Sequence, residues 1–206
     1  MAFFVIFTVN IPEGVIILCG RFRFDPDKNK EIHDIYQIAT RNGYLPKTGE
    51  VFPSDPTALV LVRNHKIDVI SMEWGFPGFK PKQLLINARA ETVTSKRMFA
   101  QPFLTRRCVY PTSGFFEWSK NKQKYWFDYG EKPQPLYIGG FFNNFDNKSR
   151  SILITTSPND SVSPIHNRMP LILRKDQIRD WLTNYQYASK VINQEMPLLQ
   201  RKLINK

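Results

Sequence analysis

Cysteine is scarce in this chain: Cys19 and Cys108 are the only two among 206 residues. Two thiols cannot build a disulfide framework, and no Cys/His cluster has the spacing of a structural zinc site. A reducing compartment is therefore expected, with no metal and no cofactor. Long apolar runs are also missing, since none approaches the roughly 20 residues that span a bilayer. The opening "MAFFVIFTVNIPEGVIIL" is apolar, yet it has no basic leader segment and no small-residue cleavage site. Asn10, Pro12, Glu13 and Gly14 interrupt it. A signal peptide is not expected, and the sequence points to a cytoplasmic protein with no membrane attachment. Neither a βαβ alternation nor a Gly-rich phosphate loop is present, which disfavours a nucleotide-binding fold. Internal repeats and low-complexity tracts are absent as well. Acidic residues are few, 18 against 29 Lys and Arg, for a formal charge of +11. Such an excess attracts polyanions, so nucleic acid or an acidic membrane surface becomes a reasonable partner.

What is present suits a folded domain: 42% hydrophobic and 14% aromatic residues, in a length that buries a substantial core. "AFFVIFTV" has the β-branched and aromatic character of a strand. Asp25-Pro26 reads as a helix N-cap followed by proline. Ile32, Ile35, Tyr36 and Ala39 then recur at helical spacing, and Gly43 can end the helix. Residues 44–56 form a proline-rich loop. From Thr57 onward the chain reads mainly as strands, with a hairpin turn at Arg63-Asn64-His65. A short helix is predicted over "SKRMFAQPF". "RKDQIRDWLTN" and the segment from Ser189 to Lys206 read as helical, with a break at Pro197. The order predicts an α+β fold: a mainly antiparallel, barrel-like β-sheet with flanking helices.

Several polar residues stand in apolar or aromatic surroundings. Asn87 and Arg89 lie in "LLINARAE", Glu117 in "SGFFEWS", His166 in "SPIHNRMPLIL", and Cys19 between "VIIL" and "GRF". Singly, each has an ordinary explanation. An asparagine in a strand usually satisfies a backbone group. Strand alternation allows Glu117 to face solvent while Phe116 and Trp118 face the core. His166 fits a hydrogen-bonded turn, and a buried cysteine is more often a small hydrophobe than a nucleophile. Cys108 has no acid/base partner in its motif and reads as a strand residue.

Together they form an ordered set. "CGRF", "WGF", "INARAET", "SKRMF", "CVYPTSGFFEW" and "IHNRMPLIL" follow one another from Cys19 toward Trp181. This series resembles the SOS response-associated peptidase (SRAP) family. The resemblance implies a monomer that binds single-stranded DNA at abasic sites during the DNA-damage response. There a mature N-terminal cysteine traps the aldehyde of the opened sugar as a thiazolidine crosslink. It also implies peptidase-like self-processing that exposes the cysteine. The chemistry suits the residue: a free α-amine has a pKa of about 7.7–8, so part of it is neutral, whereas a lysine near 10.4 is mostly protonated. By resemblance, Cys19 supplies both nucleophiles and Asn87 orients the terminal residue or the sugar. Glu117 moves protons around the amine, its aromatic neighbours raising its pKa, and His166 is the second acid/base group. Arg21, Arg89 and Arg168 match arginines expected to grip phosphates, with Arg97 assigned to backbone contact and Trp74 to base stacking.

Relatives usually begin Met-Cys-Gly-Arg, whereas here Leu18 precedes Cys19. Residues 1–18 are accordingly read as an extension to a single domain over 19–206. Two origins account for it: translation that starts at a TTG codon for Leu18, or a propeptide cleaved between Leu18 and Cys19. Relatives often carry Asn before Val-Ala-Pro where Glu50-Val51-Phe52-Pro53 stands here, which puts one polar contact in doubt. Two other functional readings compete: a thiol peptidase or amidase using Cys19, Glu117 and His166, and a non-covalent single-strand-binding module.

Overall fold

The computed structural model describes residues 20–130 and 134–204. The strand predicted over residues 2–9 lies outside them, as does Cys19. In chain order the first strands are β1 (Phe22–Phe24), β2 (Gly49–Val51), β3 (Pro56–Arg63), β4 (Lys66–Trp74), β5 (Phe76–Pro77), β6 (Leu84–Leu85) and β7 (Asn87–Arg89). They are followed by β8 (Arg107–Thr112), β9 (Gly114–Trp118), β10 (Lys124–Asp128), β11 (Leu136–Phe145), β12 (Lys148–Thr156), β13 (Met169–Pro170), β14 (Ile172–Leu173) and β15 (Gln200–Ile204). The α-helices are α1 (Lys30–Arg41), α2 (Arg97–Thr105), α3 (Ile178–Thr183) and α4 (Tyr185–Val191).

Five strands close into a ring. β3 pairs with β4 and β8, β8 with β11, β11 with β12, and β12 with β4, the last pairing being the parallel one. Closure gives each of these long strands a partner on both sides, and rim strands extend the pairing of β11 and β12 where the ring contacts stop. The β3–β4 hairpin is joined by Asn64 and His65, whose φ values of 51° and 61° suit a two-residue turn that follows the strand twist. At the rim β12 also takes β7 in parallel and β13 antiparallel, while β14 pairs with β11. A second sheet, all antiparallel, has the order β15-β10-β9-β1-β2. The two sheets are joined by Phe22 of β1, whose ring lies 5.2 Å from that of Trp74 and 6.1 Å from that of Tyr110. The predicted class, α+β with a barrel-like and mainly antiparallel sheet, describes this architecture.

Helix α1 buries Ile32, Ile35 and Ala39, the stripe that its spacing predicts, but it starts later than expected. Asn29 is the N-cap, its side chain accepting from the N–H groups of Glu31 and Ile32. Asp25 is otherwise engaged, in a two-point ion pair with Arg23 at 2.7 and 2.9 Å. Burial pushes the Asp25 carboxyl up, but the Arg23 guanidinium, together with Ser113 and Lys28, outweighs it and the net shift is downward. The C-terminal expectation is also corrected. Helix α4 ends at Val191, and residues beyond Pro197 form β15 on the edge of the second sheet. Charged Arg201 and Lys202 there hid the strand from a reading based on apolar periodicity.

Arg107 of β8 shows how the flanking helices are held. It is buried, and it donates to the carbonyls of Phe103 (2.8 Å), Leu104 (2.6 Å), Trp181 (2.5 Å) and Leu182 (3.4 Å). These belong to the last turns of α2 and α3, where carbonyls lack intrahelical partners and the helix dipole favours a cation. Arg107→Met should therefore lower unfolding stability by about 3 kcal/mol, because buried carbonyls lose their donors. Arg107→Lys should recover part of that loss. Urea denaturation checks this, and a methionine variant as stable as the parent would refute the capping role.

Candidate active site

Strand β9 runs between β1 and β10, and its alternation divides its side chains cleanly. Phe115 and Glu117 face inward, and Glu117 is only 1% exposed. Its neighbours Phe116 and Trp118 project from the other side, Phe116 lying under Trp126 with ring centroids 4.8 Å apart. The solvent-facing alternative for Glu117 is thus excluded. Pairing with β1 continues past its N-terminal end, because the Phe116 N–H donates to the Arg21 carbonyl at 2.9 Å. The backbone two residues after Cys19 in sequence is in this way tied to the residue before Glu117. The Arg21 guanidinium lies 3.3 Å from Glu50, 4.2 Å from the Phe52 ring centroid and 5.0 Å from that of Trp118.

A second group gathers at the C-terminal end of β12. Half-buried Asn87 is opposite Leu153 in the parallel β7–β12 pairing, and exposed Arg89 is opposite Thr155. His166 is 8% exposed, in a turn closed by its own N–H donating to the Val162 carbonyl at 3.0 Å. Its Nδ1 accepts from the Arg168 backbone N–H at 3.2 Å, which assigns the ring proton of the neutral form to Nε2. The Arg168 side chain forms a two-point ion pair with Glu91, 2.5 Å at its shorter contact, and donates to the Thr155 carbonyl at 2.7 Å. Arg168 holds the Glu91 carboxyl below the usual carboxylate range. His166, Arg168, Glu91 and Thr155 form one hydrogen-bonded unit beside Asn87 and Arg89.

Against this geometry the comparisons are decisive. A family model described as SOS response associated peptidase (SRAP) matches residues 18–203. The chain belongs to the SRAP family. It is 30% identical over 180 residues to the abasic site processing protein YoaM of Bacillus subtilis, covering 80% of this chain and 79% of that one. To the abasic site processing protein YedK of Escherichia coli it is 30% identical over 178 residues, with 80% and 79% covered. A crystal structure of a protein from Bacteroides thetaiotaomicron superposes with a TM-score of 0.70 at 19% identity, over 91% of this chain and 92% of that one.

Within this SRAP chain the structure corrects one expected role. Trp74 is wholly buried, packs on Phe22 and donates its indole N–H to the Ile86 carbonyl at 2.9 Å. It presents no face to a base and belongs to the core. Arg97 is exposed at the start of α2. Cys108 is buried in β8, and burial pushes its thiol pKa well up, which keeps it protonated and unreactive. Sequence reasoning missed Glu50 and Glu91, the carboxylates that hold Arg21 and Arg168. Glu91 stands inside the quoted "INARAET", but its partner lies 77 residues away in sequence. Among the described residues no helix is long and apolar enough to cross a membrane.

Burial lowers the His166 pKa from its ordinary value of 6.5, so the neutral ring is favoured in the folded protein. Below pH 6.5 the unfolded chain then binds more protons than the folded one. Stability should fall as pH drops from that value toward the folded-state pKa and level off below it. His166→Gln should lack this component, and its difference from the parent across a pH series of urea titrations measures it. An imidazole that titrates at or above 6.5 by NMR would contradict the assignment.

Proposed function

We propose that this protein processes abasic sites in single-stranded DNA and does so covalently, through Cys19 as the N-terminal residue of a unit spanning 19–206. The observation that carries the reading is the buried carboxylate of Glu117, on the strand paired with β1, whose first residue is three positions after Cys19 in sequence. The likeness to abasic site processing proteins over most of the chain supports the same substrate. The α-amine of Cys19 adds to the aldehyde of the opened sugar to give a carbinolamine. Loss of one water yields an imine, and the Cys19 sulfur then bonds to the imine carbon. The thiol proton passes to the former imine nitrogen as the five-membered ring closes. One water is released overall and no redox partner is needed. Both nucleophiles share one residue, so closure is effectively unimolecular.

In this reading Glu117 takes and returns protons at the amine and carbinolamine. Neutral His166, with Nε2–H available, assists opening of the sugar ring. Asn87 orients the terminal residue or the sugar. Arg21, Arg89, Arg97 and Arg168 meet phosphates, and at Arg21 and Arg168 an incoming phosphate competes with Glu50 and Glu91 for the guanidinium. An amide nitrogen cannot form the imine, so residues 1–18 must be absent or removed for the reaction to proceed. Involvement in an SOS-type response and cleavage of its own leader belong to the same proposal.

The test uses protein trimmed to begin at Cys19, a uracil-containing single-stranded oligonucleotide and uracil glycosylase. A heat-stable, slower-migrating species should form, and Cys19→Ala should abolish it. Glu117→Gln should slow its formation by about 100-fold, the scale of one lost acid/base group. The chain with residues 1–18 intact should not crosslink. If the trimmed protein makes no stable adduct and instead turns over peptides, a thiol peptidase replaces this reading.

A further inference from the structure

The outer face of the second sheet carries an arrangement of which the chemistry at Cys19 uses only Arg21 and its partner Glu50. Strand register puts Phe116 and Trp118 of β9 on that face, with Lys124 and Trp126 of β10 opposite them. Lys202 of β15 is the partner of Trp126, so it lies on the same side, and it is exposed. Arg21 and Phe52 flank the other end, the guanidinium stacked on the ring. The Lys124 ammonium sits 3.8 Å above the Phe116 ring centroid. The Trp126 ring packs against Gly114, where a Cβ would come within 2.4 Å of it. Its indole N–H is fixed by Asp128 at 2.6 Å. Aromatic rings and cations therefore alternate across the sheet, with Phe116 buried beneath its neighbours and Trp118 and Trp126 partly exposed. Five strands at about 4.8 Å spacing give it a width of about 19 Å.

We propose that this face is a track for the undamaged single strand that flanks the lesion. Trp126 stacks on a base, and Lys202 contacts a phosphate beyond the residues beside Cys19. The inference rests on the function proposed above. The pattern of stacking rings with interleaved cations is what a sequence-tolerant single-strand surface requires. Charge complementarity favours a polyanion, given the net charge of +11. The acidic groups on or beside the track are Glu50, Asp128 and Asp25, the last held by Arg23, which register places opposite Glu50 and Gly114. Asp128 holds Trp126, whereas Glu50 accepts from both Arg21 (3.3 Å) and Lys124 (3.0 Å). Its carboxylate occupies the position that a phosphate would take, and the incoming strand displaces it.

Fluorescence anisotropy with undamaged oligothymidylates of about 6 and about 20 nucleotides tests the track. The unaltered protein should bind the longer strand more tightly. Trp126→Ala should weaken that binding about tenfold, as loss of one stacked base predicts. Lys202→Gln should reduce the salt dependence of the logarithm of the binding constant by about 0.7, one phosphate contact to a single strand. Glu50→Gln should bind more tightly than the parent. Lys202→Gln and Glu50→Gln are surface changes that keep the test valid should Trp126→Ala fail to fold. Equal affinity for the two lengths, or unchanged binding in Lys202→Gln and Glu50→Gln, overturns the track. Crosslinking of the unaltered protein to a short lesion-bearing oligonucleotide is scored separately. Its failure alone would overturn the proposed function while leaving the track supported by the undamaged-strand data.

Discussion

The register of β9 between β1 and β10 is the constraint on which the rest of the molecule depends. A slip of one residue would turn Glu117 out to solvent and drive Phe116 and Trp118 inward, because side chains alternate along a strand. Pairing on both sides holds the register, and Gly114 helps to fix it: with φ at 154° and Trp126 packed directly over it, no other residue fits there. The same alternation makes two surfaces from one strand. Inward lies a buried carboxylate next to the chain that leads to Cys19, and outward lies an aromatic and cationic face.

Charge is distributed to match. Several acidic residues hold an arginine or lysine in a defined direction: Glu50 for Arg21 and Lys124, Glu91 for Arg168, and Glu73 for Arg150. Exposed pairs of this kind add little to stability, typically under about 1 kcal/mol. Their value lies in pre-orienting guanidinium forks that would otherwise sample many rotamers, and they leave an excess of cations facing solvent. Arg107 is the contrasting case. It is buried, it meets only main-chain carbonyls in the contacts described, and it ties two helix ends to the barrel.

Much of this was legible in the sequence wherever a residue's neighbours in the chain are also its neighbours in space. The apolar stripe of α1, the Asn64-His65 turn and the strand character of β8 to β12 follow from local spacing. The helix start was misread because Asp25-Pro26 offers a good cap on paper, whereas Arg23 claims the Asp25 carboxylate. β15 was misread because both faces of this edge strand are largely exposed, so it carries no apolar alternation to read. Asn87, Glu117 and His166 stand out as polar residues in apolar surroundings, but only the family motifs, taken together, suggest roles for them. Trp74 shows the limit of that route, since a tryptophan inside a motif proved to serve the core. Glu50 and Glu91 escaped because ion pairs across 29 and 77 residues leave no trace in sequence order.

The central claim is that one residue supplies both atoms bonded to the sugar carbon, and mass spectrometry of the digested adduct addresses it directly. After nuclease and trypsin treatment, the account predicts the sugar remnant on the peptide Cys19-Gly20-Arg21. Its mass should equal the sum of the parts less one water, and it should be stable without a reductant. A remnant on a lysine-containing peptide, or one captured only after borohydride reduction, would contradict the account.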